Sequence, residues 1–310
     1  MTLIQLEYIV ALDTLKHFAK AAAHCHVTQP SLSMQVQKLE EELGVQIFVR
    51  TTPVTTTDTG QLIIQQARKV LTEAANIHEL IEQEKSIVGG NLKIGVIPTL
   101  APYLLPRFVQ SFTQTYPKVK LSIYDLTTEN IVRQLKNGNI DAGIMATPLG
   151  YAELKEDFLF NEEFVAYVST TQKLFDKRFL LPTDMDINNM WLLEEGHCLR
   201  NQVINFCAIQ KIASTEKHFE YSAGSIETLK RFVDTNGGIT LLPELATYDI
   251  SDTQKNMLRY FKSPAPVREI SLVTLKTFNK RRLINILKNT ILENIPEQML
   301  QKKKVDVIAI

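Results

Sequence analysis

Residues Phe18 to Gly44 read FAKAAAHCHVTQPSLSMQVQKLEEELG. Phe18, Ala19, Ala21, Ala22 and Ala23 predict a compact helix whose small side chains let another helix approach closely. A turn follows at Cys25-His26-Val27. Thr28 suits an N-cap, and Pro30 is tolerated within a first helical turn. The next helix carries Leu32, Val36, Leu39 and Leu43 on one face, and Gly44 is its stop. Its other face offers Ser31, Ser33, Gln35 and Lys38. Upstream, Leu3, Leu6, Ile9, Val10 and Ala11 repeat at helical spacing. Two short helices joined by a tight turn, the second polar outside, describe a helix-turn-helix.

Charge within residues 1–57 is unevenly spread. Lys16, Lys20, Lys38 and Arg50 face Glu7, Asp13, Glu40, Glu41 and Glu42, yet no acid lies between Asp13 and Glu40. Lys16, Lys20, Lys38, His17, His24 and His26 make that interval locally basic, and Glu40-Glu41-Glu42 reads as a solvated helix end. Phe48-Val49-Arg50-Thr51-Thr52-Pro53-Val54 predicts a small hairpin wing, with Arg50 free to meet phosphate.

A long helix is expected over residues 58–88, with Asp58 as its cap. Ile63, Ala67, Val70, Ala74, Ile77 and Ile81 make a heptad seam; the simpler reading is an amphipathic helix packed on its own domain. Gly89-Gly90 marks a hinge. Beyond it the texture becomes α/β. Strands are expected at Leu92–Ile97, Val119–Tyr124 and Ile140–Met145, with helices at Pro102–Thr115 and Glu129–Lys136 between them. This alternation predicts a parallel, doubly wound sheet. A second set runs from Phe164 to about Phe261 and includes Met190–Leu193 and Gly238–Pro243. Ile270–Leu275 and a helix from Lys280 return to the first set. Two lobes with two crossings create a cleft for a ligand. Lys302-Lys303-Lys304 reads as a solvated tail.

The chain has 310 residues, zero formal net charge and three cysteines. That excludes a polyelectrolyte and a disulfide scaffold. The N-terminus lacks the pattern of a signal peptide, and no apolar run approaches the ~20 residues that cross a bilayer. A cytoplasmic protein without a membrane association is expected. In that compartment the pair Cys198 and Cys207, within Glu194-Glu195-Gly196-His197-Cys198-Leu199-Arg200-Asn201-Gln202-Val203-Ile204-Asn205-Phe206-Cys207, suggests redox or metal chemistry. Adjacent His-Cys ligands are awkward and no C-x-x-C occurs, so no metal site is assigned. Leu199, Val203, Phe206 and Cys207 share one helical face.

The block Phe18-Ala19-Lys20-Ala21-Ala22, Thr28-Gln29-Pro30-Ser31-Leu32-Ser33, Leu39-Glu40-Glu41-Glu42-Leu43-Gly44 and Phe48-Val49-Arg50 resembles the DNA-binding signature of LysR-type transcriptional regulators, and the resemblance extends over nearly the whole chain. Gly196-His197-Cys198-Leu199-Arg200 with Cys207, Ile97-Pro98-Thr99, Pro102–Pro106 and Gly238–Pro243 resemble the peroxide-sensing members of that family. The resemblance implies a winged helix-turn-helix DNA-binding domain at residues 1–57 and a linker, or dimerisation, helix at 58–88. It also implies a two-lobed α/β regulatory domain at 89–310, resembling a type 2 periplasmic-binding protein. Lobe I would be about 91–162 and 268–300, and lobe II about 163–267.

The same resemblance implies that Cys198 is peroxidatic and Cys207 resolving. Thr99, Thr128, His197 and Arg268 would surround hydrogen peroxide, with His218 a further histidine of the segment. Gln29, Ser31, Ser33, Gln35 and Lys38 would meet double-stranded DNA, and Arg50 its phosphate. A homodimer or homotetramer and an RNA polymerase contact are expected, and no cofactor. Asn201 stands where an acid would follow Leu-Arg.

Peroxide attack requires a thiolate. His197, Arg200, Arg268 and the positive end of a helix starting at Leu199 are the groups to favour one. Nine helical steps hold Cys198 and Cys207 on opposite sides, about 13–14 Å apart along the axis. A disulfide needs Cα atoms within about 7 Å, so closing it requires roughly residues 195–220 to refold. Two other classes fit parts of the chain. One is a LysR-type regulator controlled by a small organic ligand in the interlobe cleft. The other is a thiol peroxidase enzyme, which leaves the helix-turn-helix and the heptad seam without a use.

Overall fold

The structure is a computed structural model. It describes residues 1–84, 88–186, 189–194, 198–206, 223–278, 280–300 and 306–308. Two compact units divide the chain, Met1–Ile87 and Val88–Ile310.

In the first unit, α1 (Leu3–Leu15), α2 (Phe18–His24) and α3 (Gln29–Leu43) enclose a core of Leu6, Ile9, Leu12, Ala21, Leu32, Val36 and Leu39. Thr28 caps α3 by accepting from the Ser31 amide at 3.4 Å, and Gly44 ends it at φ 68°. Leu43 departs from the expected apolar face and is exposed. The wing forms as β1 (Phe48–Val49) and β2 (Thr55–Thr56), paired antiparallel. Glu40 is not a solvated helix end. Its Oε1 accepts from the amides of Ile47 at 2.7 Å and Phe48 at 3.0 Å, which pins the wing to α3.

The long helix, α4, runs Asp58–Glu84. Its cap is Thr57 rather than Asp58: the Thr57 hydroxyl accepts from the Gly60 amide at 2.9 Å and donates to the Gln46 carbonyl at 2.7 Å. Gly60 is required there, because a Cβ would stand 2.1 Å from the Ile47 carbonyl oxygen. The first half of α4 packs on its own unit through Ile64 and Ala67, with Ile63, Val70 and Leu71 beside them. Ile77, further along the seam, is 61% exposed.

The second unit opens with β3 (Gly90–Val96), α5 (Ala101–Thr115), β4 (Val119–Asp125), α6 (Thr128–Lys136) and β5 (Ala142–Thr147). A single 15-residue strand, β6 (Leu154–Val168), then runs from one lobe into the other. The second lobe holds α7 (Cys198–Phe206), α8 (Ile226–Asn236), β7 (Ile239–Pro243), α9 (Asp252–Lys255) and β8 (Leu258–Tyr260). Next, β9 (Pro266–Leu275) returns to the first lobe, followed by α10 (Arg281–Glu293), α11 (Glu297–Leu300) and β10 (Asp306–Val307).

The sheet order is β4-β3-β5-β9-β6-β7. The parallel sheet expected from the alternation occurs among the strands that carried it, and the returning strand departs from it. β4, β3 and β5 are parallel, but β9 lies antiparallel to both β5 and β6. A strand arriving from the other lobe needs no helical crossover, so it is free to enter antiparallel. β6 changes partners between Glu163, opposite Val267 of β9, and Phe164, opposite Pro243 of β7. Met190–Leu193 contributes only isolated bridges, Met190 to Ile239 and Leu193 to Ala223. Lys302–Lys304, the expected solvated tail, lie outside the described residues; β10 pairs in parallel with Pro266 and Val267 of β9.

The Glu40 clamp yields a test. Two charge-assisted hydrogen bonds to backbone amides make Glu40→Ala cost about 2 kcal/mol in the N-terminal unit, read by equilibrium unfolding. Glu41→Ala, at an exposed position, is expected to leave that transition in place.

Candidate functional site

On α3, Leu32, Val36 and Leu39 face the core, which turns Pro30, Met34, Gln37, Lys38 and Glu41 outward. Gln29, Lys38 and Arg50 are exposed, whereas Ser31, Ser33 and Gln35 are half-buried on the flanks. Gln35 accepts a hydrogen bond from Gln5 of α1 at 3.3 Å. Met34, 49% exposed, and Gln37, bonded to Glu41 at 2.9 Å, are outermost positions that the reading of alternating polar residues missed. Lys16, counted among the basic residues, is paired with Asp13 at 2.6 Å.

At the lobe crossing, Glu162 of β6 lies directly opposite Arg268 of β9, and both are fully buried. The guanidinium donates to Glu162 Oε2 from Nε at 2.8 Å, with Nη2 also at 2.8 Å. Its far edge reaches Thr99: Nη1 donates to the hydroxyl at 2.9 Å and Nη2 to the carbonyl at 3.2 Å. Glu162 Oε1 accepts from the Leu245 amide at 2.9 Å, which ties the network into lobe II. Burial pushes the Glu162 carboxyl up from its ordinary value, against the Arg268 charge and the Leu245 amide, which hold it down. Thr99 does not cap α5, whose N-cap is Leu100 without a side-chain bond.

Thr99 follows β3 by three residues and Thr128 follows β4 by three residues. Their strands end on a register pair, Val96 and Asp125. Both threonines therefore stand at the carboxyl end of the parallel strands, where open α/β sheets place ligands. The Thr128 hydroxyl is buried and has no hydrogen-bond partner among the described residues. A water or another small polar guest would satisfy a buried polar atom left this way.

Cys198 is the first residue of α7, one position earlier than expected, and is 7% exposed. Leu199 and Val203 are buried beneath it, and Phe206 meets Phe261 edge-on at 5.0 Å. Arg200 donates to the Leu193 carbonyl at 2.8 Å, and the hydrogen bonds of Arg268 go to Thr99 and Glu162. His197, Cys207 and His218 lie outside the described residues. Among the described residues, no group of three or more His, Cys, Asp or Glu is arranged to hold a metal, and no helix is long and apolar enough to cross a membrane.

Sequence reasoning missed Glu162, and also a second tie between lobes. Tyr103 of α5 donates to Glu227 of α8 at 2.8 Å, while Lys230, itself buried, pairs with Glu227 at 2.6 Å. A signal for Glu162 was present: an acid in the apolar strand around Phe160 and Phe164 must find a partner, and Arg268 is the base embedded likewise. The pair supplies a test. Arg268→Met leaves Glu162 buried and alone, and is expected to destabilise the second unit by about 3–5 kcal/mol. Adding Glu162→Leu should recover most of that loss, measured by chemical denaturation.

Residues 3–61 match the bacterial regulatory helix-turn-helix protein, lysR family, and residues 87–295 match the LysR substrate binding domain. A hydrogen peroxide-inducible genes activator from Haemophilus influenzae is 37% identical over 276 residues, 88% of this chain and 90% of that protein. The DNA-binding transcriptional dual regulator OxyR of Escherichia coli K12 is 37% identical over 88% of this chain and 89% of its own. Among solved structures, a full-length OxyR variant from Pseudomonas aeruginosa superimposes with a TM-score of 0.80 at 33% identity, covering 95% of this chain and 99% of that one. With a helix-turn-helix in one unit and a two-lobed α/β domain in the other, this chain belongs to the LysR family of bacterial transcriptional regulators.

Proposed function

We propose that this chain is a DNA-binding transcriptional regulator that responds to hydrogen peroxide through Cys198 and Cys207. The observation that carries the reading is Cys198 itself: a buried thiol at the first position of α7, in a chain whose relatives over nine-tenths of their length are named for peroxide induction. Thr99, Thr128, His197 and Arg268 are the groups assigned to the peroxide. In support, the Thr99 oxygen already accepts from Arg268, which leaves its hydrogen to donate, and the Thr128 hydroxyl has no partner among the described residues.

The chemistry balances without a cofactor. The Cys198 thiolate attacks one peroxide oxygen, the O–O bond breaks, and the departing hydroxide takes a proton to become water. The sulfenic acid then condenses with the Cys207 thiol, releasing a second water and forming the disulfide. α7 spans Cys198–Phe206; a helix continued by one residue to Cys207 would hold the two residues about 13–14 Å apart. The bond needs about 7 Å or less. Oxidation therefore unwinds α7, and that rearrangement is the signal passed to the DNA-binding unit.

Gln29, Ser31, Ser33, Gln35 and Lys38 are assigned to the DNA groove and its nearby phosphates, and Arg50 to phosphate. The outward face of α3 adds Met34 and Gln37. Residues 58–88 act as the dimerisation helix, for which the exposed Ile77 and Leu62 are candidates. The regulator works in the cytoplasm as a homodimer or homotetramer that contacts RNA polymerase.

Free thiols counted before and after one equivalent of peroxide test the switch. Two are expected to disappear, and Cys198→Ser should abolish both the loss and the change in DNA footprint. A retained response in that variant would favour a regulator controlled by a small organic ligand. Sustained peroxide turnover with thioredoxin would favour a thiol peroxidase. On the DNA side, Arg50→Ala is expected to reduce the slope of log affinity against log salt by about one, with sequence preference unchanged, measured by fluorescence anisotropy titrations.

A further inference from the structure

We propose that Glu162 is a positioning residue for the peroxide step, acting through Arg268 on the Thr99 hydroxyl. The proposal rests on the peroxide reading above. A threonine hydroxyl turns freely and both donates and accepts. It becomes a dedicated donor only if something else supplies its accepted hydrogen bond. Arg268 Nη1 does this at 2.9 Å, and Nη2 holds the Thr99 carbonyl at 3.2 Å, so backbone and side chain are gripped together.

The guanidinium can aim at Thr99 only if its other edge is fixed. Glu162 fixes it at 2.8 Å from the register-paired position of the adjacent strand, and Glu162 is itself held by the Leu245 amide. All three side chains, Glu162, Arg268 and Thr99, are buried, so water does not replace a missing partner. Arginine stays protonated at any relevant pH, and without the carboxylate its fork would reorient toward other acceptors. The Thr99 hydroxyl would then lose its imposed direction.

The experiment compares two reactions of Cys198 in the full chain: sulfenic acid formation with hydrogen peroxide and alkylation by iodoacetamide. Both are measured at a pH where their rates have reached a plateau, so that changes in thiolate fraction drop out. Glu162→Gln is expected to slow the peroxide reaction at least tenfold and to change alkylation less than twofold, because alkylation needs no hydroxyl donor. Thr99→Val should show the same split, and the double variant should be no slower than the slower single. Glu162→Asp, which keeps the charge and shortens its reach, should fall between and serves if the glutamine variant does not fold. Parallel losses in both reactions, additive losses in the double variant or an unchanged peroxide rate would each overturn the positioning role. A parent chain whose Cys198 reacts with peroxide no faster than free cysteine would instead overturn the sensing reading beneath it.

A separate observation concerns the tail. β5 covers β9 only from Glu269 to Val273, and β10 covers Pro266 and Val267. The next residue, Ile308, is buried, donates its amide to the Val267 carbonyl at 2.9 Å and accepts at 3.2 Å from Nε2 of Gln202, a fully buried residue of α7. We infer that residues 306–308 latch α7 in its reduced form, since unwinding that helix breaks the Gln202 bond. Ile308→Asp, which places a charge at a buried site, should speed disulfide closure after sulfenic acid formation at least threefold and leave the first step unchanged. Gln202→Met, which keeps the volume and removes the amide, should act in the same direction. Unchanged or slower closure in both would defeat the latch, whereas no closure in the parent would defeat the disulfide switch itself.

Discussion

A guanidinium without solvent exposure sits where the strands of the two lobes exchange partners, and its carboxylate faces it across β6 and β9. Taking two charges out of water costs several kcal/mol per ion, and their attraction does little more than offset that cost. The pair is therefore a poor source of stability and a strict source of geometry. Val267, Arg268 and Glu269 must pair with Glu163, Glu162 and Asn161 in that register. A slip of one residue between the strands would leave the two charges on opposite faces of the sheet. The crossing between lobes is defined by a contact that tolerates almost no displacement, and Thr99 inherits that rigidity.

Against this stiff crossing stands a lightly tethered helix. The nine described residues of α7 are too few to persist as an isolated helix in water. Among the described residues its anchors are Leu199 and Val203 below, Phe206 against Phe261, Arg200 on one carbonyl and Gln202 on another. A pocket lined by Trp191, Leu199, Val203, Leu229 and Leu241 lies beneath it. Helices held by few contacts open at low free energy. The proposed redox switch would draw on this asymmetry: the groups assigned to the peroxide stay fixed, while the backbone that would have to give way between two sulfurs is inexpensive to disrupt.

Much of the fold was legible in residues 18–56. There the signals are local: Thr28 as a cap, Gly44 as a helix stop and the short β-branched run Phe48–Val54 as a hairpin wing. The sheet was less so. Alternation of strands and helices marks β3, β4 and β5 correctly, but the direction of β9 depends on a strand returning from the other lobe, which no local pattern carries. Glu40 was misread for a related reason. Its neighbours Glu41 and Glu42 are exposed, and only the path of the chain after Gly44 brings the Ile47 and Phe48 amides to it. At the site, Arg268 and Thr99 were named individually, whereas their shared bond and the role of Glu162 depend on residues 169 and 106 positions apart.

Zero net charge is compatible with a DNA-facing unit because four of the five acids in residues 1–57 are turned to architecture. Asp13 pairs with Lys16 and Arg68, Glu40 holds the wing amides, Glu41 accepts from Gln37, and Glu42 meets the N-terminal amine. Lys20, Lys38 and Arg50 remain exposed on the interval from α2 to the wing. Fields from exposed charges fade over about 8 Å in physiological salt. A phosphate backbone therefore responds to the few cations within that reach and not to the formal total. The same screening makes the exposed cations a sequence-independent attraction, and under the proposed assignment discrimination falls to the outward face of α3, where Met34 and Gln37 project between Pro30 and Lys38.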